Sequence, residues 1–174
     1  KEDIFYYIYG LFHCEDYRQR YADNLTKELP RIPRVKSIED FWAFSQAGRE
    51  LAELHINYES VEMFPAKVDI TGSPVGYRVE KMKFGGRGKH KDQTTIIYNS
   101  QITVSGIPLE AYDYVVNGKS AIDWVMERQC VKTDKASGIV NDANDWAIET
   151  MNNPKYPLEL LLRVITVSVK TLEI

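Results

Sequence analysis

Five basic residues, Lys81, Lys83, Arg87, Lys89 and Lys91, fall within eleven positions that hold no acid. The stretch KMKFGGRGKHKDQ, residues 81–93, adds His90, Gln93 and three glycines. Lys and Arg neutralise phosphates and release counterions, and glycine lets a backbone approach a ligand closely. Arg87 carries the fork that pairs with guanine O6 and N7, and Gln93 the amide that pairs with adenine. The whole chain has a net charge of −3, so removing this +5 leaves −8 for the rest. A cationic segment on an acidic body is an electrostatic footprint for a polyanion. The residues alone leave two readings open: a nucleic-acid contact, or an exposed hairpin tip whose charge aids solubility.

A second stretch, KTDKASGIVNDANDW at residues 132–146, offers Lys132, Lys135, Asn141 and Asn144 to phosphates or base edges. Its acids oppose unguided phosphate binding, and by itself it reads as a capped structural loop. Arg31 and Arg34 flank Pro33 in a stiff connector, where they can clamp a phosphate or pair with neighbouring helices.

Catalytic patterns are missing. A nuclease of the acid-x-Lys type needs a carboxylate two residues before a lysine, and none of the 25 acidic residues has one. Amino-methyltransferases grip the target amine with a Pro-Pro loop, and no two of the seven prolines are adjacent. Gly118-Lys119-Ser120 imitates the end of a phosphate-binding loop, but the required earlier glycine is Asp113. Ser120 is better read as a helix N-cap at a junction between two helices. Neither a C-x-x-C pair nor an H-E-x-x-H helix accompanies the three histidines. His13 and His55 are expected to be packed and hydrogen-bonded, and Cys14 and Cys130 to be small buried hydrophobes. The expectation is a chain with no catalytic residue, no metal and no cofactor of its own.

The elements that must position these residues follow from periodicity. Ile4, Tyr7, Ile8, Leu11 and Phe12 make one helical face, and Tyr17, Tyr21 and Leu25 continue in a second helix. Two prolines at 30 and 33 enforce an extended connector. Ser37 with Asp40 starts a helix carrying Phe41, Phe44, Gly48, Leu51 and Leu54. Residues 75–84, 94–98 and 101–104 read as strands, with a glycine-rich loop at 85–88. Helical spacing returns at 109–116, Asn117-Gly118 makes a turn, and Ser120 with Asp123 caps another helix. Pro157 opens a last helix through Leu158, Leu161, Leu162 and Ile165, although its β-branched end (164–169) also fits a strand.

The fold class is therefore α+β, with helices at both ends flanking a small antiparallel β-sheet. The 174 residues suit a single domain, helical over 1–59, β-rich and reading over 60–107, and mainly helical over 108–174. Two distant cysteines and no apolar run of membrane-spanning length point to the cytoplasm. A first residue of Lys1 is what a segment cut from a longer chain would show.

Several long stretches carry a resemblance. They are DIFYYIYGLFHCEDYRQRYADNLTKELPRIP (3–33), DFWAFSQAGRELAELHINYE (40–59), the run from YNSQITVSGIPLEAYDYVVNGKS to NDANDW (98–146), and PLELLLRVITVSVKT near the end. In this order they resemble the C-terminal specificity region of type ISP, single-polypeptide restriction-modification enzymes. That resemblance implies recognition of double-stranded DNA and presentation of the site to an upstream adenine-N6 methyltransferase of the same polypeptide. S-adenosylmethionine, ATP and magnesium would then belong to upstream domains. Residues 62–95 are the unfamiliar part, and specificity domains should differ most where they read sequence. The resemblance carries over no individual reading residue, so the candidates remain those of the two stretches themselves: Lys81, Lys83, Arg87, Lys89, His90, Lys91 and Gln93, then Lys132, Lys135 and Asn141. A coupling domain that docks on the methyltransferase through residues 3–21, with little DNA contact, is the alternative.

Overall fold

Glycine, more than the expected row of large apolar residues, decides how the first helices pack. A computed structural model describes residues 1–88 and 90–174. These form two compact units, residues 1–58 with 173–174, and residues 59–172. The first unit contains α1 (Glu2–His13), α2 (Glu15–Arg20), α3 (Ala22–Leu25) and α4 (Ile38–Ile56). At Gly10 and Gly48 the α1 and α4 backbones touch: a methyl group on Gly48 would lie 1.9 Å from the Tyr6 carbonyl oxygen. Tyr7, Leu11, Leu51 and Ala52 are buried around this contact, whereas Ile4 of the expected face is exposed. Asp40 N–H donates to the Ser37 hydroxyl at 3.0 Å, the expected cap of α4. The proline connector has no regular secondary structure, and two tyrosine hydroxyls hold it, Tyr7 donating to Pro33 O and Tyr17 to Arg31 O. Arg31 faces Glu28 at 3.7 Å in an exposed pair.

The two histidines of this unit make a small half-buried cluster. The Tyr9 hydroxyl lies 2.7 Å from His55 Nδ1, and the His13 and His55 rings are 5.2 Å apart. Burial, then the nearby His13, pushes the His55 imidazole down to about 4 from its ordinary 6.5. His13 is lowered too, by burial and by Arg18, against the opposing hydrogen bond to the Tyr9 carbonyl. Between about pH 4 and 6.5 the unfolded chain therefore binds more protons than the folded one, and stability rises with pH across that window. Acidification from pH 7 to 4.5 is expected to lower the melting temperature of the wild-type chain. His55→Gln should flatten that slope. Equal slopes in melting curves of the two proteins would show that the cluster does not resist protonation.

The second unit is built on a sheet of β1 (Lys67–Ile70), β2 (Lys83–Arg87), β3 (His90–Ile97) and β4 (Ile102–Ser105), in the order β1-β4-β3-β2, all antiparallel. Behind it come β5 (Val115–Val116), β6 (Lys119–Ser120), α5 (Ala121–Arg128), β7 (Lys132–Thr133), β8 (Val140–Asn141), α6 (Ala143–Glu149) and α7 (Tyr156–Glu173). The core joins Val79, Ile96, Tyr98, Ile102 and Val104 to Leu158, Leu161 and Ile165 of α7. This is the expected α+β arrangement. The β-branched end of α7 is helical, because its residues 164–168 are all buried and packing overrides propensity.

Several local expectations are corrected. Residues 75–82 are not a strand. Their alternating apolar residues lie in irregular backbone whose polar groups are met by side chains: Asn99 Nδ2 donates to the Gly76 and Arg78 carbonyls, and Gln101 Oε1 accepts from Gly76 N–H. The glycine run is not a loop, since Gly85–Arg87 belongs to β2. Residues 109–116 form a 3-10 turn (Leu109–Tyr112) and then β5. Asn117-Gly118 turns β5 into β6 with both residues at positive φ, so Ser120 caps α5 from a hairpin and not from a helix junction. Cys14 and Cys130 are half-buried and not fully buried.

Candidate nucleic-acid interface

A break in register shapes the cationic segment. Below the break, Lys83 pairs with Ile97 and Phe84 with Ile96; above it, Gly85 pairs with Asp92, Gly86 with Lys91 and Arg87 with His90. Residues 93–95 therefore bulge from the β2 ladder, while Thr95 pairs with Ser105 of β4. Past that point β3 has only β2 beside it. The result is a two-stranded ribbon extending beyond the four-stranded sheet, with Arg87 and His90 on its last rung.

The bulge is pinned chemically. The Asp92 carboxylate accepts from the Thr94 hydroxyl at 2.6 Å and the Thr94 N–H at 3.0 Å. Hydrogen bonds from Thr94, then Thr95, hold that carboxyl below its usual range. The Tyr112 hydroxyl donates to the Gln93 carbonyl at 2.8 Å, and Ile107 N–H to the Thr94 carbonyl. Glycine is required in the ribbon itself. Gly86 has φ +94°, and a methyl there would meet the His90 carbonyl oxygen at 2.1 Å. Arg87, His90, Lys91 and Gln93 are all exposed, as are Lys81 and Lys83 at the ribbon's root. The Lys91 ammonium lies 5.9 Å from the Phe84 ring centre. Lys89 lies outside the described residues.

The second stretch is also a ribbon. Lys132 pairs with Asn141 and Thr133 with Val140, and Lys135 sits in the turn that Asp134 closes by accepting from Ala136 and Ser137. Lys132, Lys135 and Asn141 are exposed. Asn144, in contrast, is buried, and its amide is fully occupied: Oδ1 accepts from Val79 N–H and Nδ2 donates to Val79 O, both at 2.8 Å. Asn144 is thus a structural strut and not a side chain offered to bases.

Both ribbons are rooted on one short segment. Val131 N–H, just before β7, donates to Glu80 O. Arg78 pairs with Asp142, the cap of α6, at 2.5 Å and with Glu80 at 2.6 Å. The sequence reading missed Arg78, Tyr112 and Asn144 as positioning residues. Their signal is only tertiary, since the Val79–Asn144 pair spans 65 positions. Among the described residues no group of three or more His, Cys, Asp or Glu can hold a metal ion. Among the described residues no helix is long and apolar enough to cross a membrane.

The family model of the type ISP C-terminal specificity domain matches residues 1–160. The chain belongs to that family. Solved structures extend the similarity to 99% of the chain. A nuclease-deletion mutant of the type ISP restriction-modification enzyme LlaGI, in complex with a DNA substrate mimic, is 47% identical with a TM-score of 0.86. The ATP-dependent type ISP enzyme LlaBIII, bound to DNA, is 47% identical with a TM-score of 0.85. A DrdV–DNA complex is 32% identical with a TM-score of 0.79. This type ISP specificity domain spans only 13%, 11% and 17% of those three chains. No curated protein matches it.

Proposed function

We propose that this type ISP specificity domain reads double-stranded DNA by placing the ribbon of residues 85–92 in the major groove. One observation carries the reading: the ribbon is two strands wide where it leaves the sheet, and the major groove admits a two-stranded ribbon. Arg87 on the last rung is the donor for guanine, and Gln93 at the bulge is the amide for adenine. His90, Lys91 and Lys89 contact the phosphate rails. Lys132, Lys135 and Asn141 on the second ribbon touch the same duplex nearby. The similar enzymes whose structures contain DNA support this reading. The domain presents its site to an upstream adenine methyltransferase of the same polypeptide, and S-adenosylmethionine, ATP and magnesium belong to the upstream domains.

Arg87→Ala is expected to weaken the preferred duplex by about 1–3 kcal/mol while leaving random duplex nearly unchanged. Fluorescence anisotropy at several salt concentrations measures both. Equal losses on the two duplexes would remove Arg87 from base reading.

A coupling role for residues 3–21 has its own observation. Ile4 and Phe5 of α1 are more than half exposed, and a groove of about 240 Å³ lined by Ile4, Ile8, Ile32 and Phe41 opens beside them. The two roles are compatible. Tight binding to the methyltransferase region with no salt-dependent DNA binding would favour coupling alone.

A further inference from the structure

At the root of the first ribbon, away from its tip, is a cleft of about 580 Å³. Arg78, Glu80, Lys81, Lys83, Ile97 and Ser100 are among the residues that line it. Its floor is firm, because Asn99 and Gln101 are tied to the backbone of residues 74–78 and of the β3–β4 turn. The lining carries three cations, Arg78, Lys81 and Lys83, and one carboxylate, Glu80. Arg78 pairs with Glu80 and also with Asp142 and Asp145, which do not line the cleft. Lys81 and Lys83 are exposed and have no ion-pair partner among the described residues. These two ammonium groups and the exposed Ser100 hydroxyl thus face one concave surface.

We infer that this cleft is a phosphodiester-binding subsite that grips the duplex backbone while the ribbon tip reads the groove. The inference rests on the DNA-reading role proposed above and adds a second contact to it. Geometry sets the spacing: Lys83 and Arg87 are four residues apart in β2, roughly 13 Å at ~3.3 Å per residue. The major groove is about 12 Å wide, so with Arg87 at the base edges Lys83 lies at the level of a sugar-phosphate rail. Phosphate contacts of this kind set register and orientation and carry no sequence information.

The test is Lys81→Ala/Lys83→Ala, with Lys81→Gln/Lys83→Gln as a second variant that keeps side-chain bulk. Each is titrated with the preferred and a random duplex across a salt series, beside Arg87→Ala and the wild-type chain. Melting curves check that the exposed substitutions leave the fold intact. Both double variants should lose affinity equally on the two duplexes. Their slope of log K against log salt should be shallower by about 1.8, or 0.9 per phosphate contact. Unchanged affinity and slope, with Arg87→Ala still selective, would overturn the cleft and leave base reading standing. Loss confined to the preferred duplex would also overturn it, because the cleft would then be reading bases. No salt-dependent binding by the wild-type chain would overturn both proposals.

Discussion

Gly48→Ala is expected to unfold the helical unit at a temperature lower by on the order of 10 °C or more. Two terms compete. Alanine is the better helix former, by about 1 kcal/mol in a helix interior. Against that, its Cβ would lie 1.9 Å from the Tyr6 carbonyl oxygen and 2.9 Å from Gly10 N, both backbone atoms that no rotamer change can move. The α1 and α4 axes must separate, which opens the packing of Tyr7, Leu11 and Leu51. It also strains the Ser45 hydroxyl bond to Asp3 O and the Arg49–Asp3 pair at 2.6 Å. Overpacking against backbone costs about 3 kcal/mol or more, so the steric term wins. In a unit of this size each net kcal/mol shifts the midpoint by about 4–8 °C. Far-ultraviolet melting curves measure it, and a wild-type midpoint would show that the two helices are not in backbone contact.

Asn144→Ala is expected to cost about 2–5 kcal/mol. The Val79 N–H and C=O lose their partners, and Val79 is wholly inaccessible to solvent. Each dry, unpaired backbone group costs about 1–3 kcal/mol, more than the bond itself contributes on folding. The pair also holds the segment on which both ribbons stand, so ribbon geometry should loosen along with stability. Hydrogen exchange at the Val79 amide reports the local break directly. Protection equal to wild type would mean that water or another group replaces the Asn144 amide.

Much of the fold is legible in the sequence, for identifiable reasons. Caps announce themselves locally: Ser37 with Asp40 and Ser120 with Asp123 both make the bonds their spacing implies. Asn117-Gly118 is a turn because two consecutive positive φ values leave few residue choices. The misreadings share one cause, which is tertiary partners distant in sequence. Val75, Tyr77 and Val79 alternate as a strand would, yet Asn99, Gln101 and Asn144 side chains replace a neighbouring strand there. Gly85 and Gly86 look like a loop, yet their lack of side chains is what lets β2 close against Thr95 of the bulge and the His90 carbonyl of the last rung. The cationic character of residues 81–91 was visible directly. That the residues form a narrow ribbon with a separate cleft at its root was not, because the register break depends on Asp92, Thr94 and Tyr112 acting together.

The most direct measurement is selection from a randomised duplex library with the wild-type chain and with Arg87→Ala, followed by sequencing of the bound pools. The wild-type pool should converge on one motif, and the Arg87→Ala pool should keep that motif except for a relaxed guanine at a single position. Identical motifs from both proteins, or no motif from the wild-type chain, would contradict base reading by the ribbon.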